Sequence, residues 1–504
     1  MIIKIVIMTI ALLTIIFVYL KSKAANDRLP ILSYAYVAAL FSIYPLIFSP
    51  IQGYYAMGHF KFQIWSALTL SFLLYTIGFI FWGKRDTSAT LFRLDAIDKI
   101  ALCYLALVVI SFAISSDKIA ALTGADGWYT GLLFQFGIIM AYWGVSRFIK
   151  PDVRLIRIVM ISAMIVFLLG ILHRFQIDPI GIYKSLSEDA YIRFLSTIGQ
   201  ATWYSAYLCV VFPLGLHIFM FEKDNIISGL FLGLSAATLV TQNSDSAYGA
   251  FFVVLLIYLV VVLYNEKDGI LISKYGYSLI LMSTAILVTG ICEKICGNRL
   301  VNIDPLSLRI AQGFIPLIGI VIGAVLAILG KKAYLHGKTL LFVAIGVLTV
   351  ALCIVTGMFI VRESAFDVYF TPGKDWGNGR GLIWERTLEM FSDFPLINKL
   401  FGIGPGQFSS HISLYTQLSL ANAHNEWMTV LVEEGILGCI AYFSIFIVAA
   451  IVAIKKIHSS KNQYPRCYGY VVLATITAYI VHGMFNYQQC ISTPMLFVIM
   501  ALAF

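Results

Sequence analysis

Long apolar runs separated by short polar turns set the pattern of this chain. Fifteen such runs, at 3–20, 31–49, 64–82, 100–115, 129–146, 155–172, 203–221, 226–241, 247–264, 277–293, 310–330, 339–360, 435–454, 467–485 and 489–504, approach or reach the length that carries a helix across a bilayer. Nothing alternates with the two-residue period of a barrel strand, and in lipid only helices or closed barrels satisfy their own backbone hydrogen bonds. The expected fold is therefore all-α, a polytopic membrane helical bundle of about 12–15 spans. The first twenty residues resemble a signal peptide only superficially. No small-residue cleavage site follows them and KSKAANDR reads as a cytoplasmic stop, so 3–20 counts as a first span.

Composition supports the same class. Of 504 residues, 60% are hydrophobic and 12% charged, whereas a soluble domain carries roughly 25% charged residues. A water-soluble enzyme, a secreted disulfide scaffold and a disordered chain are excluded. Eight cysteines are too sparse for a disulfide framework. Most lie inside apolar runs, and the close pair Cys292 and Cys296 has an i,i+4 spacing that suits a bridge poorly. The net charge of +9 would direct a soluble protein towards nucleic acid. Here it reflects basic loops at one membrane face, and no nucleic-acid partner is expected.

Those loops give the sidedness. Segments 21–30, 83–99, 147–154, 222–225, 265–276, 331–338 and 455–466, with Arg157 beside the third, hold 21 of the 35 lysines and arginines and are cytoplasmic by the positive-inside rule. Residues 173–202 and 361–434 then lie outside. The organisation expected is N-terminal spans over 1–172, central spans over 173–360 with the outer loop 173–202, a large extracytoplasmic loop over 361–434, and C-terminal spans over 435–504. A loop of some 70 residues in a compact bundle is unusual, and such loops tend to be functional.

In that loop, Leu382, Ile383, Trp384, Leu388 and Phe391 gather on one helical side opposite Glu385, Arg386 and Glu389, which predicts an amphipathic helix stopped by Pro395. It suits a membrane surface, with Trp384 at headgroup level. Arg380 sits between glycines in GNGRG at the helix entrance, where free N–H groups and the helix dipole favour an anion. A guanidinium there can hold a diphosphate by bidentate hydrogen bonds, the competing reading being a salt bridge or headgroup contact. Gly402 to Gly406 form a tight return that reads as geometry. His424 and Asn425 begin a second short helix, with Asn422 as its expected cap. A histidine at a helix N-terminus is disfavoured as a cation and so stays able to accept a proton.

These residues carry a resemblance. Gly379-Arg380 with Trp384, Pro395-Leu396, Gly402 through Phe408, Ala423-His424-Asn425, and Glu434-Gly435 with Gly438 resemble in order and spacing the C-terminal signature of the bacterial O-antigen ligase and O-antigen polymerase family. GQATWYSAYL (199–208) and TQNSDSAYGA (241–250) resemble two upstream motifs of that family. The resemblance covers roughly the last three-fifths of the chain. It implies a GT-C-like membrane glycosyltransferase that takes glycan from an undecaprenyl-diphosphate-linked donor and passes it to an acceptor sugar hydroxyl. The chemistry implied is inverting, needs no metal or other cofactor, and takes place on the outer face of the cytoplasmic membrane. Membrane lipids and envelope polysaccharide assembly proteins are the expected neighbours.

Residue by residue, the resemblance puts the family's histidine on His424 and its outer-loop arginine on Arg380. A further family arginine falls where this chain has Asp245, after Ser244. Arg193 is the candidate to replace it as a diphosphate ligand, an interfacial anchor being its competing role, while Asp245 is a candidate for acceptor sugar or an arginine partner. Gln200 and Thr202 stand where asparagines are usual. Asn425 is expected to orient His424 or a sugar, and Trp384, Trp128, Trp203 and Tyr204 to stack on sugar faces or form a membrane-interface belt. Ligase and polymerase differ in acceptor, which the motifs do not encode. With nothing pointing to a lipid A core acceptor, the reading leans slightly to a surface-polysaccharide polymerase. A flippase for lipid-linked oligosaccharide is the rival from another class, and would need charges facing a cavity in mid-span; a scaffold of an envelope assembly is the third.

Overall fold

The computed structural model describes residues 28–49, 53–54, 56–82, 92–149, 152–183, 186–191, 193–222, 225–265, 269–331, 373–374, 376–459 and 463–503. It is a bundle of helices: α1 (Arg28–Ala38), α2 (Met57–Trp82), α3 (Ala96–Ile114), α4 (Lys118–Thr123), α5 (Leu132–Ser146), α6 (Val153–Arg174), α7 (Ala201–Phe221), α8 (Asn225–Thr241), α9 (Ser246–Asn265), α10 (Gly269–Ile295), α11 (Pro305–Gln312) and α12 (Ile315–Lys331). After these come α13 (Trp376–Asp393), α14 (Leu396–Phe401), α15 (Phe408–Ile412), α16 (Glu426–Ser459), α17 (Gln463–Gly483) and α18 (Ser492–Met500). Among the described residues the strand content is one antiparallel pair, β1 (Phe194–Leu195) with β2 (Gly199–Gln200), in which Phe194 faces Gln200.

Seven of these helices (α2, α3, α6, α7, α9, α10 and α16) are long and apolar enough to cross a membrane, and α11 with α12 makes a further one if the 47° bend between them is counted as one broken span. The apolar parts of α1 (with the π-turn after it), α5, α8 and α17 are shorter. The protein is thus the polytopic helical bundle expected. The runs at 3–20 and 339–360 lie outside the described residues. The run at 489–504 is corrected: α18 has nine residues, about half a span, and is buried within the bundle.

Local sequence explains the helix boundaries. Asp95 and Asp98 cap α3 reciprocally, Asp152 caps α6, and Asp304 followed by Pro305 starts α11. α7 is apolar on every side and its span is 94% buried, making it the central post of the bundle. Phe212 of α7 stacks on Phe251 of α9 at 3.7 Å, and Tyr204 packs against Gly170 of α6.

Contacts between loops divide the molecule into two ends. At one, Gln407 donates to the Asp117 carbonyl, the Asp304 N–H to Asn243 Oδ1 and Asn302 to the Glu188 carbonyl. At the other, Arg147 pairs with Asp98, and Lys274 donates to the carbonyls of Met220 and Glu222. The first group comes from segments outside the basic set, the second from segments in it or at their edges.

Candidate active site

From α13 to the start of α16 the chain folds on a small core of its own, built from Met390, Ile403, Phe408, Ile412, Ala423 and Val432. α13 buries Ile383, Thr387 and Met390 in or beside it, while Leu388 is exposed. Of the apolar side expected from sequence, Ile383 is buried and Leu388 lies at the protein surface, while Thr387 joins the seam. Thr387 lies in the seam because its hydroxyl donates back to the Ile383 carbonyl at 2.7 Å, which hides its polarity. Trp384, expected at headgroup level, has protein contacts instead. Its indole N–H donates to the Ala423 carbonyl at 3.1 Å, and its ring lies 5.2 Å from Trp376 and 6.4 Å from Phe485.

α13 begins at Trp376, earlier than GNGRG suggested, but its first turn is irregular, with Gly377 and Gly379 at φ of 61° and 86°. Out of that turn comes Arg380. One guanidinium nitrogen donates to the Gly377 carbonyl at 2.8 Å, while Nε is buried with no hydrogen-bond partner among the described residues. Burial lowers its pKa, and the nearby Asp245 and Tyr487 oppose that effect. The result is a half-buried cation with a donor left to give.

The return between α14 and α16 is set by interlocked backbones. Gly402 and Gly435 both take positive φ, 82° and 73°, and a Cβ on either would collide with the other strand of the crossing. Gly435 also kinks α16, separating a short first segment from the apolar run after it. That segment is capped by Asn425, whose side-chain oxygen accepts from the Met428 N–H at 3.1 Å. Asn422, the cap expected from sequence, instead accepts the His424 N–H at 3.0 Å and holds a tight turn. His424 at its apex takes a left-handed φ of 48°, rare for a non-glycine residue. Burial, and next the charge of Arg380, push its imidazole down to about 4, so it is neutral at pH 7. The helix dipole favours the same neutral form, but burial and a specific cation are the causes here.

Beneath both lies Tyr487, in the loop after α17. Its ring meets His424 edge-on at 5.5 Å and Trp128 at 4.5 Å. Its hydroxyl donates to Gln200 Oε1 at 2.8 Å and stands 2.9 Å from Thr202 Oγ1. Asp245 joins from the α8–α9 turn. Burial, with the carboxylate of Asp304, pushes it up to about 7 against the pull of Arg380. Behind this pair, Arg174 is fully buried, bound to Glu293 at 2.8 Å and to Asn243 Oδ1 at 3.2 Å. Among the described residues, no three His, Cys, Asp or Glu side chains gather as a metal site would require.

Of the residues singled out in the sequence, the structure thus brings together Arg380, His424, Asp245, Gln200 and Trp384. Asn425 is adjacent, with its side chain engaged in the cap. Arg193 stands apart: it is exposed on the turn before β1, and it is its carbonyl that reaches towards the motif, accepting from the Ala201 N–H at 2.8 Å. Trp203 and Tyr204 are buried in the bundle and leave no face open to a sugar. Cys292 and Cys296 are free thiols. Tyr487, Asp304 and the Arg174–Glu293 pair had no signal in the sequence beyond being polar residues between apolar runs.

Residues 308–443, which contain Arg380, His424 and the interlocked glycines, match the family model described as O-Antigen ligase. This stretch is an O-antigen ligase family domain. No curated protein matches the chain. With seven long apolar helices among its described residues, the protein is a multi-pass membrane protein that carries a domain of the O-antigen ligase type. The ligase domain supplies the cation and the imidazole. Asp245 and Tyr487, which neighbour them, and Gln200, bonded to Tyr487, come from outside the matched residues on both sides.

Proposed function

We propose that this protein transfers or polymerises glycan from an undecaprenyl-diphosphate-linked donor onto an acceptor sugar hydroxyl at the outer face of the cytoplasmic membrane, with inversion and without a metal. The observation that carries the reading is the juxtaposition of a neutral, half-buried His424 with a half-buried Arg380 whose Nε keeps an unused donor. A sugar hydroxyl is a poor nucleophile at neutral pH and needs a base within hydrogen-bond reach. His424 is that base. As the anomeric C–O bond breaks and the acceptor oxygen bonds to the anomeric carbon, the electron pair leaves with the diphosphate. Arg380 stabilises the charge growing there, a role in which comparable groups are worth ~10²–10³ in rate. The acceptor proton passes to His424. Attack from the face opposite the leaving diphosphate gives the inverted anomer.

Asp245, whose carboxyl burial and the neighbouring Asp304 push up, lies close enough to Arg380 for their charges to interact and helps to hold it. Gln200, held by Tyr487, offers its amide nitrogen to a sugar or phosphate oxygen. Incubating the purified protein with undecaprenyl-diphosphate oligosaccharide, with and without candidate acceptors, tests the reading. Longer lipid-linked products mean polymerase, and glycan on a separate acceptor means ligase. Unchanged donor under every condition, from protein that is folded and inserted, overturns it.

A further inference from the structure

Behind Tyr487 a second histidine, His482, closes α17. It is 2% exposed and had no place in the sequence reading, being inside an apolar run. One ring nitrogen, Nε2, stands 2.8 Å from Ser205 Oγ of α7, 3.3 Å from Ser246 Oγ of α9 and 3.1 Å from Asn486 Nδ2. Ser205 and Ser246 are themselves 3.2 Å apart, and Ser246 lies 2.9 Å from Ser244. A single imidazole edge therefore joins the ends of three helices in a pocket closed to water.

The position matters because of what lies on either side. Ser205 is one turn along α7 from Gln200 and Thr202, and Ser246 follows Asp245. On the other side the chain runs from His482 through Phe485, which packs 6.1 Å from Trp376 and 6.4 Å from Trp384 on the Arg380 helix, to Tyr487 against His424. Two upstream segments and the floor of the site are thus registered against each other at one atom. A buried polar cluster of this kind specifies one arrangement when its members are satisfied and loosens when one is removed.

We propose that His482 is a positioning residue for glycosyl transfer: it fixes the 482–488 segment to α7 and α9, so that Tyr487 and Phe485 hold His424 and Arg380 in register with the donor. The inference rests on the function proposed above. It places part of the working site outside the ligase domain, on a residue that touches neither donor nor acceptor.

The test uses the full chain in proteoliposomes with undecaprenyl-diphosphate oligosaccharide, comparing His482→Leu, which keeps bulk, with His482→Gln, which restores a group able to donate and accept. His482→Leu should lower kcat by about 10²-fold, the loss that accompanies misplacement by an ångström, with the donor KM unchanged. His482→Gln should recover most of the turnover. Wild-type turnover in the Leu variant, equal impairment in both, or a change confined to KM would each overturn the proposal. Should the Leu variant fail to fold, Ser205→Ala removes the closest partner and must lower kcat in the same sense, or the proposal is lost. His424→Ala serves as the control: if it keeps wild-type turnover, the reading of the site itself fails, a result distinct from the failure of His482.

Discussion

His424 is a weak base in the free enzyme because burial, and after it the Arg380 cation, disfavour the imidazolium. The sign of the pH dependence follows. The base works only when neutral, so kcat/KM should be full above and fall as pH drops through about 4. A bound diphosphate offsets the charge of Arg380, raising the proton affinity of His424 and making it a better base. The acid limb of kcat should therefore lie at higher pH than that of kcat/KM; coincident limbs would show that Arg380 and donor charge do not act on the imidazole. His424→Ala should abolish transfer, and Arg380→Ala should cost ~10²–10³ in rate while the protein still inserts. Turnover should persist in EDTA, and loss that Mg²⁺ restores would sink the metal-free mechanism. Arg380 and His424 were legible in the sequence because glycines and a helix start surround polar residues that have few structural reasons to be there. Tyr487 and His482 were not, since nothing in one chain tells which polar residue at the end of an apolar run turns inward.

At the scale of elements, the crossing of Gly402 over Gly435 decides where the histidine turn sits. Gly435→Ala puts a Cβ against the Leu400 carbonyl at a φ of 73° and should cost about 1–3 kcal/mol, seen as a lower unfolding temperature in detergent together with lost transfer. Full activity at unchanged stability would mean that the crossing is dispensable. Helix positions along the chain were readable because a lipid-crossing run leaves a long apolar signature. The face of α13 was less so. Periodicity puts Leu388 on the apolar side and leaves out Thr387, but a threonine that satisfies its own hydroxyl on the preceding turn packs like an apolar residue. The cap of α16 was misplaced from Asn425 to Asn422 for a related reason: both are asparagines able to hold a turn, and only backbone geometry assigns one to the helix and the other to the histidine.

For the whole molecule, the separation of loops into two ends can be checked against sidedness. In a cysteine-free background, Ser410→Cys, exposed on α15, should react with an impermeant thiol reagent added outside the cell. Ser459→Cys, at the far end of α16, should not. The reverse labelling would place the site on the cytoplasmic side. The charge count predicts this sidedness, because basic residues resist translocation whatever the fold. It could not foresee that the site draws on segments as far apart as Gln200 and Tyr487, whose 2.8 Å hydrogen bond spans most of the bundle's sequence. That bond has a bearing on biogenesis. A nascent chain that has threaded its ligase domain into the membrane already displays Arg380 and His424, yet has no tyrosine to lay under them. Synthesis must run past residue 487 before Tyr487 can reach Gln200 and the ring of His424, so this cluster is completed only late in translation.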